Sequence, residues 1–286
     1  MNVNLPINAR PATIAQIILI LGGFCFLYAH AIQTLISDWS VDPNFSHGFL
    51  IPPIALYMVW VNKHRLAKLT PKPSNQGLVV IVLGMLIHLA GHAGAELFLM
   101  RFSMIVTLAG IIIFLLGWQF LKAMAIPLVY LIMMIPIPGI LWNKIAFPLQ
   151  LFAAKLSGEL IQIIQIPVFR EGNILHLSNT SLEVVDACSG LRSLTSLIAL
   201  TSIFAYLAPF TILKKWILFL SAVPIAVVVN VIRLTITAAM AYHISPDTAH
   251  GFLHDMSGLI IFGGALALVY LVFNIEMAIE RHQKRK

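Results

Sequence analysis

Long apolar runs separated by short polar breaks account for most of the chain. The first run covers residues 13–36 and ends in Ser37-Asp38-Trp39-Ser40-Val41-Asp42-Pro43-Asn44, a polar stretch without Lys or Arg that reads as an outer loop. A second run, 47–61, is closed by Lys63, Arg65, Lys68 and Lys72. The third and fourth cover 77–95 and 102–120, and Lys122 follows the fourth. A fifth, 123–137, ends in Pro136-Ile137-Pro138-Gly139, where prolines and a glycine stop a helix. Three more follow at 189–208, 216–243 and 257–276, the middle one with a kink expected near Pro224. Read as membrane-crossing helices, these runs predict eight spans.

Two stretches break the pattern. In 141–166 the apolar residues Ile145, Leu149, Phe152, Leu156, Leu160 and Ile163 or Ile164 recur every three to four positions, and polar residues such as Lys144, Lys155 and Glu159 fill the gaps. That periodicity predicts an amphipathic helix lying in the membrane interface, the alternative being a helix inside the bundle with one wet face. Residues 168–186 carry β-branched and apolar residues broken by Glu171-Gly172-Asn173 and Ser178-Asn179-Thr180-Ser181, which predicts a small hairpin-like cap outside the membrane. The expected fold class is therefore an all-α polytopic membrane protein of about eight transmembrane helices, with one interfacial amphipathic helix and a small extracytoplasmic β-hairpin-like cap. Residues 1–286 form one integral membrane domain on this reading.

Composition agrees: 59% of residues are hydrophobic and 10% charged, against roughly 25% charged in a soluble domain. A net charge of +7 would suit nucleic acid, but the basic residues sit in small groups between apolar runs. That is the distribution set by the positive-inside rule, so the partner is the lipid bilayer and nucleic-acid binding is excluded. The first run is longer than the core of a cleavable signal and lacks a small-x-small site, so it reads as a retained span. Cys25 falls mid-span and far from Cys188, which leaves no disulfide expected. Twelve of the 18 Lys and Arg residues fall inside when both termini are cytoplasmic: Arg10, Lys63, Arg65, Lys68, Lys72, Lys122, Lys214, Lys215, Arg281, Lys284, Arg285 and Lys286.

This topology carries chemistry. Cys188, in Asp186-Ala187-Cys188-Ser189-Gly190-Leu191-Arg192, stands at the outer start of the sixth span. Unpaired N–H groups and the positive helix end there favour thiolate over thiol. Arg192 falls on the same helical face and adds positive charge; it could tune the sulfur, meet an acidic substrate or simply anchor the interface. Arg233 lies 17 residues past Trp216, roughly 25 Å from the inner surface. An arginine within an apolar span is costly, which marks it as paired or functional, and Asn230 one turn earlier could share its partner. His254 stands just before the outer start of the eighth span and is preferred to His250 and His243. Thiolate, imidazole and guanidinium are the parts of acyl transfer: nucleophile, acid and base, and stabiliser of the tetrahedral oxyanion.

These motifs carry a resemblance. Asp186–Ser193, Asn230-Val231-Ile232-Arg233-Leu234 and Phe252-Leu253-His254-Asp255-Met256-Ser257-Gly258 together are similar to the bacterial exosortase family, as are Phe45-Ser46-His47-Gly48-Phe49-Leu50 and Arg170-Glu171-Gly172-Asn173. The resemblance implies a membrane cysteine protease or transpeptidase of the inner membrane, its active site facing the periplasm. Its substrates would be membrane-anchored exported proteins bearing a C-terminal sorting signal: a Pro-Glu-Pro motif, a transmembrane helix and a basic tail. The cleaved protein would pass to an acceptor linked to exopolysaccharide. Cys188 would be the nucleophile, His254 the acid and base and Arg233 the transition-state stabiliser, with Arg192, Asn230 and His47 in support. His47 would line the site or cap the second span. No cofactor and no metal are implied. Related archaeal enzymes have arginine where this chain has His254, so the bacterial branch is the better match.

Two other readings compete. His88 and His92, and likewise His250 and His254, are four apart, a spacing that suits metal or haem ligation on one helical face. Arg233 and the Pro and Gly interruptions would suit a transporter, although no inverted repeat is visible.

Overall fold

The computed structural model describes residues 11–184, 191–245 and 252–283; of residues 11–14, 17, 252–259 and 283 it describes the backbone alone. The apolar runs become helices, whose backbone N–H and C=O groups away from the ends pair within the segment, as a lipid environment favours. In chain order they begin with α1 (Pro11–Leu27), α2 (Ala29–Val41), α3 (Ile51–Val61, entered through a tight turn at Ser46–Leu50) and the short α4 (Lys63–Leu66). Next come α5 (Gln76–Ala93), α6 (Leu97–Leu116), α7 (Trp118–Tyr130) and α8 (Gly139–Ile163). Three short strands, β1 (Val168–Glu171), β2 (Ile174–Leu177) and β3 (Ser181–Glu183), precede α9 (Leu191–Leu207), α10 (Ile212–Leu220), α11 (Ala222–His243) and α12 (Phe252–Gln283). The chain divides into two compact units, Met1–Val41 with Arg65–Ala125, and Asp42–His64 with Ile126–Lys286.

The first unit is built on α5 against α6. Gly77, Gly84 and Gly91 are all buried and lie seven residues apart, so they form one stripe down α5. A β-carbon at Gly77 would run into the backbone of Phe114 on α6; small residues of this kind let membrane helices approach closely. Tyr28, fully buried, donates or accepts a 2.7 Å hydrogen bond with Thr107. The chain bends by 61° where α1 meets α2, at this residue. Near the end of α2, Asp38 forms an ion pair with the buried guanidinium of Arg101, 2.7 Å apart. Residues 37–41, expected in a loop, are therefore helical. Gly117, with φ +90, ends α6 and donates its N–H back to Ile112 and Ile113.

In the second unit the predicted cap is a three-stranded antiparallel sheet in the order β1-β2-β3, with Val168 opposite Leu177 and Ile174 opposite Glu183. Gly172, at φ +62, makes the first turn, and Arg170 donates to its carbonyl. Leu175, Leu182 and Val184 bury the sheet's inner face against Ala153, Ala154 and Ile161 of α8 and Leu234, Ala238 and Ala241 of α11. The protein-facing side of α8 is thus largely small residues, while Ile145, Phe152 and Ile163 stay exposed. The helix follows a break of 83° after Met134, at the Pro136–Pro138 stop signal. Where a kink was expected near Pro224, α10 and α11 run on as one helix, Ile212–His243, apart from a one-residue irregularity at Ser221 between them. It falls within one turn of the proline, whose ring crowds the carbonyl four residues earlier.

The all-α polytopic architecture stands, but the count of eight spans does not. Among the described residues four helices are long and apolar enough to cross a membrane, Gln76–Ala93, Leu97–Leu116, Ile212–His243 and Ile260–His282, and up to six if each bent pair is one span. Ser46–Val61 and Leu191–Leu207 are shorter; the 17 residues of α9 cover only about 26 Å of a hydrocarbon layer roughly 30 Å thick.

Candidate active site

Three helices of the second unit carry or adjoin the expected catalytic residues, and α9 packs against both of the others. Leu197 of α9, Ala226 and Val229 of α11, and Ala265 and Val269 of α12 share one buried apolar cluster. A second set of contacts joins Leu191 and Leu194 of α9 to Asn230 of α11 around a small apolar void closed by Ala153 of α8. On the other side of α9, Ser196 and Leu200 share a cavity of about 300 Å³ with His47 and with Phe262 of α12. Helix α9 is therefore the common neighbour of α11 and α12.

Arg233 is 9% exposed and stands on the buried side of α11 with Val229, Asn230 and Leu234. It lies three residues past Asn230, about 4.5 Å further along the axis. Asn230 is buried as well, and both residues have interacting partners. His254 falls in the first turn of α12, which begins at Phe252, five residues earlier than the expected start; its side chain lies outside the described residues. Cys188 also lies outside them, as does His250, so the described structure brings Arg233 and Asn230 together and leaves the thiol aside.

Arg192, half-buried in the first turn of α9, donates from Nε to Oδ1 of Asn44 at 3.3 Å. This bond ties α9 to the turn that opens α3. Asn44 was not singled out in the sequence, although Asp42-Pro43-Asn44 is a turn signal and Asn44 itself is folded onto Asp42 Oδ1 by its own N–H. His47 lies in that turn beside the backbone of Asn44 and Met133. The backbone of both residues engages its ring, and its Nδ1 is closed off from solvent. Phe45, two residues before it, packs on Trp142 of α8, with ring centroids 5.4 Å apart. Of the histidines that raised a metal reading, His88 sets its ring against Tyr28 edge to face and His92 is exposed. Among the described residues no three His, Cys, Asp or Glu side chains gather.

Bent and paired apolar helices with buried polar residues, Asn230 and Arg233, on one of them, and a small three-stranded sheet define a polytopic membrane protein. Over residues 39–271 the sequence matches the transmembrane exosortase family, and the chain belongs to that family. The matched region runs from the end of α2 into α12 and includes every candidate site residue. Comparison with curated proteins and with solved structures gives no match.

Proposed function

We propose that the protein is a membrane cysteine protease or transpeptidase that cleaves C-terminal sorting signals of exported proteins at the outer face of the cytoplasmic membrane. The observation that carries this reading is the packing of α9 against both α11 and α12. Cys188 lies three residues before Leu191, the first residue of α9, in the sequence. Helices α9 and α11 run antiparallel, since Leu191 and Leu194 meet Asn230 while Ala205 and Ala208 share a cluster with Leu218 and Ala222. Moving from Asn230 to Arg233 on α11 is therefore moving back along α9 toward its start. His254 falls in the first turn of α12, eight residues before Phe262, which lines the same cavity as Ser196 of α9; this sharing supports a place for His254 near the start of α9.

In the proposed reaction the Cys188 thiolate attacks the scissile carbonyl and Arg233 donates to the oxyanion that forms. His254 protonates the departing amine and then deprotonates the acceptor, which is water or a nucleophile linked to exopolysaccharide. Burial of Arg233 among apolar neighbours makes its charge more effective on a developing anion than it would be in water. Family membership supports the same assignment. Co-expression with a tailed substrate and mass analysis of its new C-terminus tests it. A shortened product is expected from the native enzyme, a free carboxylate reporting hydrolysis and an adduct reporting transfer. Processing that persists in Cys188→Ala would remove thiol catalysis.

A further inference from the structure

The cavity of about 300 Å³ beside His47 is at the lower end of the size range of ligand pockets and has their make-up, apolar walls with a few fixed polar groups. Its walls include Leu50, Ile54, Leu200 and Phe262; its polar groups are Ser46, His47, Ser196 and Tyr130. The Tyr130 hydroxyl is already committed to the carbonyl of Ala199 at 3.1 Å. The His47 ring lines the cavity, its Nδ1 turned away into the protein and the ring held by the backbone of Asn44 and Met133, so it stands at the wall in a fixed orientation. The cavity also lies deeper than the helix starts: Ser196 is five residues into α9 and Phe262 ten residues into α12, about 8 and 15 Å along their axes. A polypeptide cut at the level of those starts and continuing into the bilayer passes this point.

We propose that this cavity is the subsite for the first apolar residues on the leaving-group side of the scissile bond, with His47 hydrogen-bonded to their backbone. This rests on the peptidase reading above. A lipid acyl chain would fill the walls equally well, but it offers nothing to His47, Ser46 or Ser196. A peptide backbone offers both a carbonyl and an N–H. His47 is thus a positioning residue, and the volume bounded by Ala199, Leu200 and Phe262 sets which side chains fit.

The test uses two membrane-anchored substrates that differ only in carrying leucine or alanine at the first positions after the cleavage site. Ala199→Phe should lower the ratio of leucine to alanine substrate processing at least tenfold. His47→Ala should raise KM for both substrates at least fivefold, and His47→Gln, which keeps a donor and an acceptor, should restore most of the loss. An unchanged ratio in Ala199→Phe, or His47→Gln as impaired as His47→Ala, overturns the subsite. A binding readout separates this from the peptidase reading: Cys188→Ala enzyme carrying p-benzoylphenylalanine in place of Leu200 should crosslink to the substrate just after its cleavage site. Crosslinks to lipid alone, in an enzyme whose native form processes the substrate, overturn the subsite and leave the peptidase standing. Substrate crosslinks without processing by the native enzyme support the cavity as a peptide site and remove the peptidase.

Discussion

A guanidinium that is nine-tenths removed from solvent inside an apolar helix persists only where its neighbours hold it, and Arg233 is held in this way. Lysine would keep the charge but not the planar fork that meets a tetrahedral oxyanion with two donors. Arg233→Lys is therefore expected to slow substrate processing about 100-fold while the enzyme still accumulates in membranes, read from substrate conversion at matched enzyme levels. Arg101 is buried more completely, and its partner Asp38 is about one-third exposed. Asp38→Ala should destabilise the first unit by about 2 kcal/mol, below the range for a fully buried pair because Asp38 keeps some water; thermal unfolding in detergent measures it. The two arginines differ in how legible they were. Arg233 interrupts Val231-Ile232 and Leu234 in mid-run and declares itself. Arg101 stands at the edge of its run and looks like a flank, and its partner lies 63 positions earlier in what reads as a loop. Only the folded chain brings them together.

Helix pairing was less readable than helix position, for a reason rooted in the solvent. Lipid tails are as apolar as leucine, so a large apolar side chain does not mark the side of a helix that faces protein. On α8 the period of three to four was plain, yet Ile145, Phe152 and Ile163 face outward and Ala146, Ala153, Ala154 and Gly158 face in. Small residues are the better guide, and the seven-residue spacing of Gly77, Gly84 and Gly91 was a signal available in the sequence. Gly77→Val should force α5 from α6, because the added β-carbon meets main chain rather than a side chain that can turn away. The expected cost is about 2 kcal/mol, seen as a lower melting temperature in detergent, with Gly22→Ala as the control since nothing lies within 4 Å of an added β-carbon there. Bends were harder still. The prolines at 136 and 138 announced one, but the 61° turn at Tyr28 has no proline or glycine at it and accompanies a hydrogen bond to Thr107.

At the scale of the second unit, one cavity joins three helices. It touches Ser46 and Ile54 in the first half and middle of the Ser46–Val61 helix, Ser196 and Leu200 in the middle of α9, and Phe262 in the first third of α12. We infer that those three helices run the same way, with α11 against them. Lys63 then follows the far end of the first, Lys214 and Lys215 follow the far end of α9, and Arg281 closes α12, so four basic residues gather on one side. The positive-inside rule predicts that side to be cytoplasmic. The expectation does not rest on the eight-span count, because it depends on which helices share a cavity and not on how many cross. The sheet, packed on Leu234, Ala238 and Ala241 toward the end of α11, is expected on the opposite, outer side. In an enzyme lacking native thiols through Cys25→Ala and Cys188→Ala, Ser178→Cys in the exposed β2–β3 turn should react with a membrane-impermeant maleimide in intact spheroplasts. Arg281→Cys should react only after permeabilisation. The reverse pattern would turn the site toward the cytoplasm, where no exported substrate could present its cleaved segment, and the peptidase assignment would fall with the orientation.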